Sequence, residues 1–276
     1  MPIIRLTCHQ QNYGSHGVIT TWPAIHIAIP KNYSKIVIDL KDCFFFIPLH
    51  PDDCKCFAFS LPIINFVGPL PHFQWRVLPQ GMANSPTLCQ KFVAQAVDPF
   101  RLHFPNLYIV HYMDDILLAG ADEYQLHQAA QQLISAIQQQ GLQISPKKIQ
   151  LQSPHLFLGF ELFPNKIISQ KIQIRKDSFL TLNDFQHLLG DINWLRPYLK
   201  LTKGELKPLF DILRGNSDLS FPCSLSAETG QALSLVKNAI NSQTITYFSP
   251  DMPLVFLVLP TPFSPMGLFW QTRSLF

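Results

Sequence analysis

The strongest periodic signal lies in residues 121–141. Leu126, Leu133, Ile134 and Ile137 fall on one side of a 3.6-residue repeat, with Gln-rich polar positions opposite. This predicts an amphipathic helix terminated by Gly141. Residues 35–40, "KIVIDL", predict a strand, then a turn and an aromatic run closed by Pro48. Residues 73–97 predict a strand, a Pro-Gly loop and a helix. Ser85 is the expected N-cap, Pro86 the first helical residue, and Leu88, Phe92, Val93 and Ala96 the apolar face. Residues 106–120 predict a hairpin, and residues 157–168 two short strands around Pro164-Asn165. A helix is expected over 181–199, capped by Thr181 or Asn183 and limited by Pro197. Further helical segments follow in 201–245, then strand and loop. The apolar run "PLVFLVLP" (253–260) predicts a buried strand and is too short to span a bilayer. Helices on antiparallel strands, followed by a helical unit, give an α+β fold class.

One feature breaks this pattern. Asp114 and Asp115 sit side by side between apolar Ile109-Val110 and Ile116-Leu118. A solvated Asp-Asp turn is one reading, because Asp bonds nearby backbone N–H groups. A metal site is the other. Adjacent buried carboxylates repel unless a cation neutralises them, and Mg²⁺ prefers carboxylate and phosphate oxygens. Asp39, at the end of the 35–40 strand, offers a third carboxylate. Three carboxylates around two Mg²⁺ ions form the arrangement used for in-line phosphoryl transfer.

Composition narrows the class without deciding it. The chain has 276 residues, of which 47% are hydrophobic and 14% charged, which excludes a disordered protein. Its 22 Phe residues imply extensive buried surface or a surface meant for a partner. The net charge of +3 is too weak to argue nucleic-acid binding. Its distribution says more. Lys147, Lys148, Lys166, Lys171, Arg175 and Lys176 share a stretch whose only acid is Glu161. Taken alone, that stretch reads as a solvated face. Cys8, Cys43, Cys54, Cys56, Cys89 and Cys223 show no zinc spacing and read as reduced thiols of an intracellular protein. The N-terminus has no signal-peptide apolar run, and the expectation is a cytoplasmic protein with no membrane association.

Five stretches in order resemble a retroviral reverse transcriptase, of the type in Pol of betaretroviruses and their class K endogenous relatives. They are "VIDLKDCFFFIPL" (37–49), "LPQGMANSP" (78–86), "YMDD" (112–115), "FLGFEL" (157–162) and "LNDFQHLLGDINWLRP" (182–197). The resemblance implies a right-hand polymerase palm with part of the fingers over 23–165, a helical thumb over 166–245 and the start of a connection subdomain over 246–276. Residues 1–22 are expected to be unrelated or poorly ordered. It implies an RNA-directed DNA polymerase using two Mg²⁺ ions, with Mn²⁺ as a substitute. The implied partners are an RNA or DNA template with its primer and a dNTP, with a dimer or other Pol domains possible.

The resemblance also implies roles for single residues. Asp39, Asp114 and Asp115 would be the metal carboxylates, Asp115 more through electrostatics than ligation. Lys148 would be the general acid toward pyrophosphate. Phe44 would fill the space of a ribose 2′-hydroxyl, Gln80 and Gly81 would contact the incoming nucleotide, and Met113 would pack near the primer end. Phe157, Leu158 and Gly159 would grip the primer. Gln186, Gly190 and Trp194, spaced by four, would share one helix face along the duplex minor groove.

Two departures limit the expectation. Arg5, Lys31 and Lys35 are the only Lys or Arg before Asp39, and no "K-W-R" type motif supplies cations to the triphosphate. The C-terminal stretch resembles a connection that stops early, with no ribonuclease H or integrase following. The expected activity is therefore impaired. The alternative is an inactive endogenous-retroviral remnant that binds nucleic acid or acts as a protein-interaction module.

Overall fold

The computed structural model describes residues 29–62, 68–169, 181–199, 201–214, 218–223, 226–242, 245, 247–260 and 266–271. Residues 1–22 and the cations Lys171, Arg175 and Lys176 lie outside them. The described residues fall into two compact units, one within Asn32–Leu158 and one in residues 29–31 with residues 159 onward. Both combine helices with antiparallel strands, in keeping with the α+β class.

The first unit opens with β1 (Ser34–Lys41) and the one-turn helices α1 (Cys43–Phe46) and α2 (Pro51–Cys54). A small hairpin, β2 (Ala58–Ser60) and β3 (His72–Gln74), precedes the long helix α3 (Ser85–His103). The hairpin β4 (Tyr108–Tyr112) and β5 (Asp115–Gly120) leads to α4 (Glu123–Gln139), β6 (Gln143–Ile144) and β7 (His155–Phe157). Four of these strands form an antiparallel sheet in the order β4-β5-β1-β6. Ile36, Ile38 and Leu40 of β1 and Ile116 and Leu118 of β5 alternate onto one face. There they meet Leu88, Phe92, Val93 and Ala96 of α3 and Leu126, Leu133 and Ile137 of α4. Each such side chain contributes about 1.5–3 kcal/mol by leaving water, so the register of β1 against β5 is firmly set.

Local signals explain the helix ends, with corrections. Asp122 caps α4, its carboxylate accepting from Tyr124 N at 2.9 Å and Gln125 N at 3.2 Å. Gly141 follows with a left-handed φ of 87°. Ser85 is not the cap of α3. Asn84 holds that position without capping the first turn through its side chain, and Ser85 is the first helical residue. Its buried hydroxyl instead donates to Pro79 O at 2.6 Å, closing the loop that carries Gln80 and Gly81.

The second unit begins with the hairpin β8 (Phe160–Leu162) and β9 (Ile167–Ser169). Its turn over Pro164-Asn165 is closed by Phe163 N donating to Lys166 O at 2.9 Å. Helices α5 (Leu182–Leu199), α6 (Lys203–Asp211) and α7 (Ala227–Ser242) follow. Thr181 stands at the start of α5, where its hydroxyl and backbone N–H both bond the Asp184 carboxylate. α5 reaches Leu199, two residues past Pro197 and at the expected bound. Burial of Tyr198 and Leu199 favours continuing the helix despite the donor that Pro197 lacks.

The final hairpin, β10 (Leu254–Leu259) and β11 (Met266–Gln271), forms its own two-stranded sheet. The apolar run expected to be buried is exposed here, with Phe256 57% and Val258 59% accessible. A two-stranded ribbon has no second layer of its own to cover it, and apolar composition alone does not bury a strand. No helix of the described residues is long and apolar enough to cross a membrane.

Candidate active site

Asp39 and Asp115 are opposite one another in the β1–β5 ladder, the last pair of that register. Cα partners in an antiparallel ladder lie about 5 Å apart, so pairing alone places the two carboxylates at one end of the sheet. Tyr112 pairs with Asp115 across β4 and β5, which leaves Met113 and Asp114 as a two-residue turn. Leu40 N donates to Asp114 O at 2.8 Å, fastening that turn to β1. All three Asp residues therefore sit where the sheet's central strands meet the β4–β5 turn.

Met113 adopts a left-handed φ of 55°. Tight hairpins require positive φ, but for a residue with a Cβ it costs about 1–2 kcal/mol. Surrounding bonds must hold it there. Met113 N donates to Gln90 Oε1 at 2.7 Å, and Gln90 Nε2 donates to His111 O at 3.1 Å.

Lys148 reaches the site from the short turn Pro146–Lys148 after β6. Ser145 N donates to Asp39 O at 3.0 Å and Lys148 N to Ser145 O at 2.9 Å, so the turn is anchored on Asp39 itself. The ammonium then lies 3.1 Å from each carboxylate oxygen of Asp39. The Lys148 side chain is 65% exposed and Asp39 18%, so water weakens the pair's contribution to stability. Its importance lies in position.

The charges sense one another. Burial, then Asp114 and Asp39, push the Asp115 carboxyl up to about 6, and Lys148 opposes them. The hydrogen bond to Asp39 and the charge of Asp39 raise Lys148 above its ordinary value. A divalent cation would relieve this repulsion, and the donor set, carboxylate oxygens without a soft ligand, suits Mg²⁺ or Mn²⁺ in kind. The cluster is not closed: among the described residues no three acidic, His or Cys side chains already stand together as a metal-holding group. Both oxygens of Asp39 face the Lys148 ammonium instead.

The other expected residues divide by exposure. Phe44 lies in α1 just beyond Asp39, half-buried, after Asp42 turns the chain at φ 49°. Gln80 and Gly81 are exposed. A Cβ on Gly81 would meet nothing within 4 Å, so its φ of 88°, not space, asks for glycine. Phe157 is only 2% exposed, so its side chain packs inward and leaves a primer to the backbone here and to its neighbours. Its strand alternation turns it into the core, while Leu158 stays half-buried and Gly159 exposed, at φ 49° and 79°. On α5, Gln186 and Gly190 are exposed and Trp194 is half-buried, opposite buried Phe185, Leu188, Leu189 and Ile192. A Cβ on Gly190 would meet open space.

Sequence reasoning missed Gln90, Arg101 and His111. His111 is buried beside Arg101, whose Nη2 donates to His111 Nδ1 at 2.9 Å. A His inside an otherwise apolar strand, three residues before the paired carboxylates, was the available signal.

Comparison with known proteins gives this geometry a family. Residues 5–162 match the family described as reverse transcriptase (RNA-dependent DNA polymerase), and residues 169–234 match the reverse transcriptase thumb domain. The chain is 58% identical over 249 residues to the Gag-Pro-Pol polyprotein of Mason-Pfizer monkey virus, covering 90% of this chain and 14% of that protein. It is 57% identical over 247 residues to the Gag-Pro-Pol polyprotein of Simian retrovirus SRV-2, with the same coverage. To that of Mouse mammary tumor virus (strain BR6) it is 47% identical over 245 residues, 89% of this chain and 14% of the relative. The chain thus spans about one seventh of the length of these polyproteins. On these matches the chain belongs to the reverse transcriptase (RNA-dependent DNA polymerase) family.

Proposed function

We propose that this chain carries the polymerase core of a retroviral-type Pol. It would add deoxynucleotides from dNTPs to a primer 3′-hydroxyl on an RNA or DNA template. The observation that supports this most is the register that sets Asp39 opposite Asp115, beside the turn bearing Asp114. In this reading residues 23–165 act as palm with part of the fingers, 166–245 as thumb and 246–276 as the start of a connection.

Asp39 and Asp114, with Asp115 beside them, would hold two Mg²⁺ ions. When bound, the ions supply Lewis-acid charge that favours the 3′-alkoxide and the departing pyrophosphate. Lys148 then has a proton to give. Its ammonium leaves the Asp39 oxygens and protonates the leaving pyrophosphate, acting as general acid. Phe44 lies under the sugar and leaves no room for a 2′-hydroxyl. Gln80 and Gly81 receive the incoming nucleotide, with Met113 under the primer end.

Leu158 and Gly159 offer accessible backbone to the primer terminus, and buried Phe157 supports them from below. The Gln186-Gly190-Trp194 face follows the duplex minor groove. A helical glycine costs about 1 kcal/mol relative to alanine, and no neighbour among the described residues explains Gly190. Close approach of a sugar-phosphate backbone does explain it.

The test is primer extension by this chain on an RNA template with dNTPs and Mg²⁺, beside Asp114→Asn. Metal-dependent extension that Asp114→Asn abolishes supports the reading. Equal extension by the variant overturns it.

A further inference from the structure

We propose that Gln90, supported by Arg101 through His111, is the positioning residue for the Asp114 turn, with helix α3 serving as a surrogate strand along the open edge of β4. This rests on the polymerase reading of the Asp39–Asp114–Asp115 site.

The inference follows from the sheet order. Among the described residues β4 is an edge strand, paired on one side with β5. In its two-residue hairpin with β5, alternate residues exchange ladder bonds and the others point outward. Tyr112 pairs with Asp115 at the turn and Val110 with Leu117 two residues on, which leaves Ile109, His111 and Met113 facing the open edge. Side chains from α3 meet each of these three. Arg101 Nε donates to Ile109 O at 2.9 Å. Gln90 Nε2 donates to His111 O at 3.1 Å, and Gln90 Oε1 accepts from Met113 N at 2.7 Å. One carboxamide thus supplies both the donor and the acceptor that a further strand would supply.

The outer end of the brace is directional. Arg101 donates to His111 Nδ1 at 2.9 Å, so that nitrogen accepts. His111 Nε2–H then donates to the backbone O of Gln90 at 3.2 Å. Asp98, one helical turn before Arg101, holds the guanidinium from the other side. Burial, with the Arg101 charge, lowers His111 against the opposing hydrogen bond to Gln90 O, the direction that favours the neutral ring of this pattern. The brace ends on Met113 N, the backbone group next to Asp114, at a residue held in the left-handed region. A Met113 turn that relaxed its φ would carry the Asp114 carboxylate away from Asp39. Displacements of about 1 Å at a reacting centre can lower rates on the order of 100-fold.

The test uses the full chain and two readouts. Gln90→Met keeps length and volume but removes donor and acceptor. Gln90→Glu keeps an acceptor for Met113 N–H. Hydrogen exchange of the Met113 amide is measured by NMR, and Mn²⁺ affinity by the electron paramagnetic resonance of the free ion. Gln90→Met should speed Met113 exchange about tenfold, the scale of one lost hydrogen bond. Exchange at Ile116–Leu118 should stay within about twofold, and Mn²⁺ should bind about tenfold more weakly. Gln90→Glu should restore Met113 protection. Unchanged Met113 exchange in Gln90→Met, or an equal rise along β5, overturns the brace. If Gln90→Met does not fold, Arg101→Met takes its place, and unchanged Met113 exchange in that variant overturns the brace equally. If the unmodified chain and Asp114→Asn bind Mn²⁺ alike, the polymerase reading fails, and the exchange comparison alone decides the brace.

Discussion

Asp39 and Asp115 end the β1–β5 ladder face to face, with Asp114 in the turn beside them and Lys148 on Asp39. Two paired strand ends thus concentrate negative charge at the end of a sheet whose core face is apolar. That concentration has consequences for stability, metal affinity and catalysis.

The first concerns pH. Asp115 titrates at about 6 in the folded chain against an ordinary 3.8. A carboxyl with a raised folded pKa stabilises the fold fully below its ordinary value, and that contribution is lost as pH rises through about 6. Asp115→Asn should therefore raise the melting temperature near pH 7.5 in chelator and give no gain near pH 4. Thermal unfolding across that range measures it. A gain that does not vary with pH would mean that Asp115 carries no such penalty.

The second concerns Lys148. A divalent cation must compete with its ammonium for both oxygens of Asp39. Lys148→Met should bind Mn²⁺ severalfold more tightly yet incorporate nucleotide more slowly, about 100-fold if proton transfer limits the rate. Lys148→Arg keeps charge but cannot release a proton at neutral pH, so it should stay slow. A fast Lys148→Arg variant would remove Lys148 from proton transfer.

A third separates packing from binding at Gly190. Gly190→Ala should stabilise the chain by up to about 1 kcal/mol, because it meets no neighbour and improves helix propensity. The same change should weaken primer–template affinity, since the methyl projects where the duplex approaches. Chemical denaturation and a fluorescence binding titration give the two numbers. Unaltered affinity would make this face of α5 an ordinary solvent-exposed surface.

Binding itself should be electrostatic. Lys147 and Lys148 would face phosphates in this account. Affinity for primer–template should fall steeply with salt, by a slope of about 0.9 for each phosphate neutralised on duplex. A flat salt dependence would exclude that surface.

Much of this site was legible in the sequence. The alternation around Asp114-Asp115 and the strand ending near Asp39 foretold a hairpin tip and a strand end. Only the register, fixed by burial of Ile36, Ile38, Ile116 and Leu118 on one face, joined them. Lys148 was named, but its contact with Asp39 bridges residues far apart in sequence and depends on how β6 returns to β1. The brace was invisible for a different reason. Gln90 and Arg101 sit on a helix whose pattern reports its core face, and nothing local shows that their polar ends meet an edge strand. Burial of 253–260 was misjudged because composition does not say whether a second layer exists.

The most direct measurement is a double-mutant cycle on Mn²⁺ affinity, with Asp39→Asn, Asp114→Asn and the pair together. If both carboxylates hold the same ion, each single change should weaken binding by about tenfold or more, and the double change should cost clearly less than the product of the two. Single variants that bind Mn²⁺ like the unmodified chain, or effects that simply multiply, would contradict a shared cation between Asp39 and Asp114.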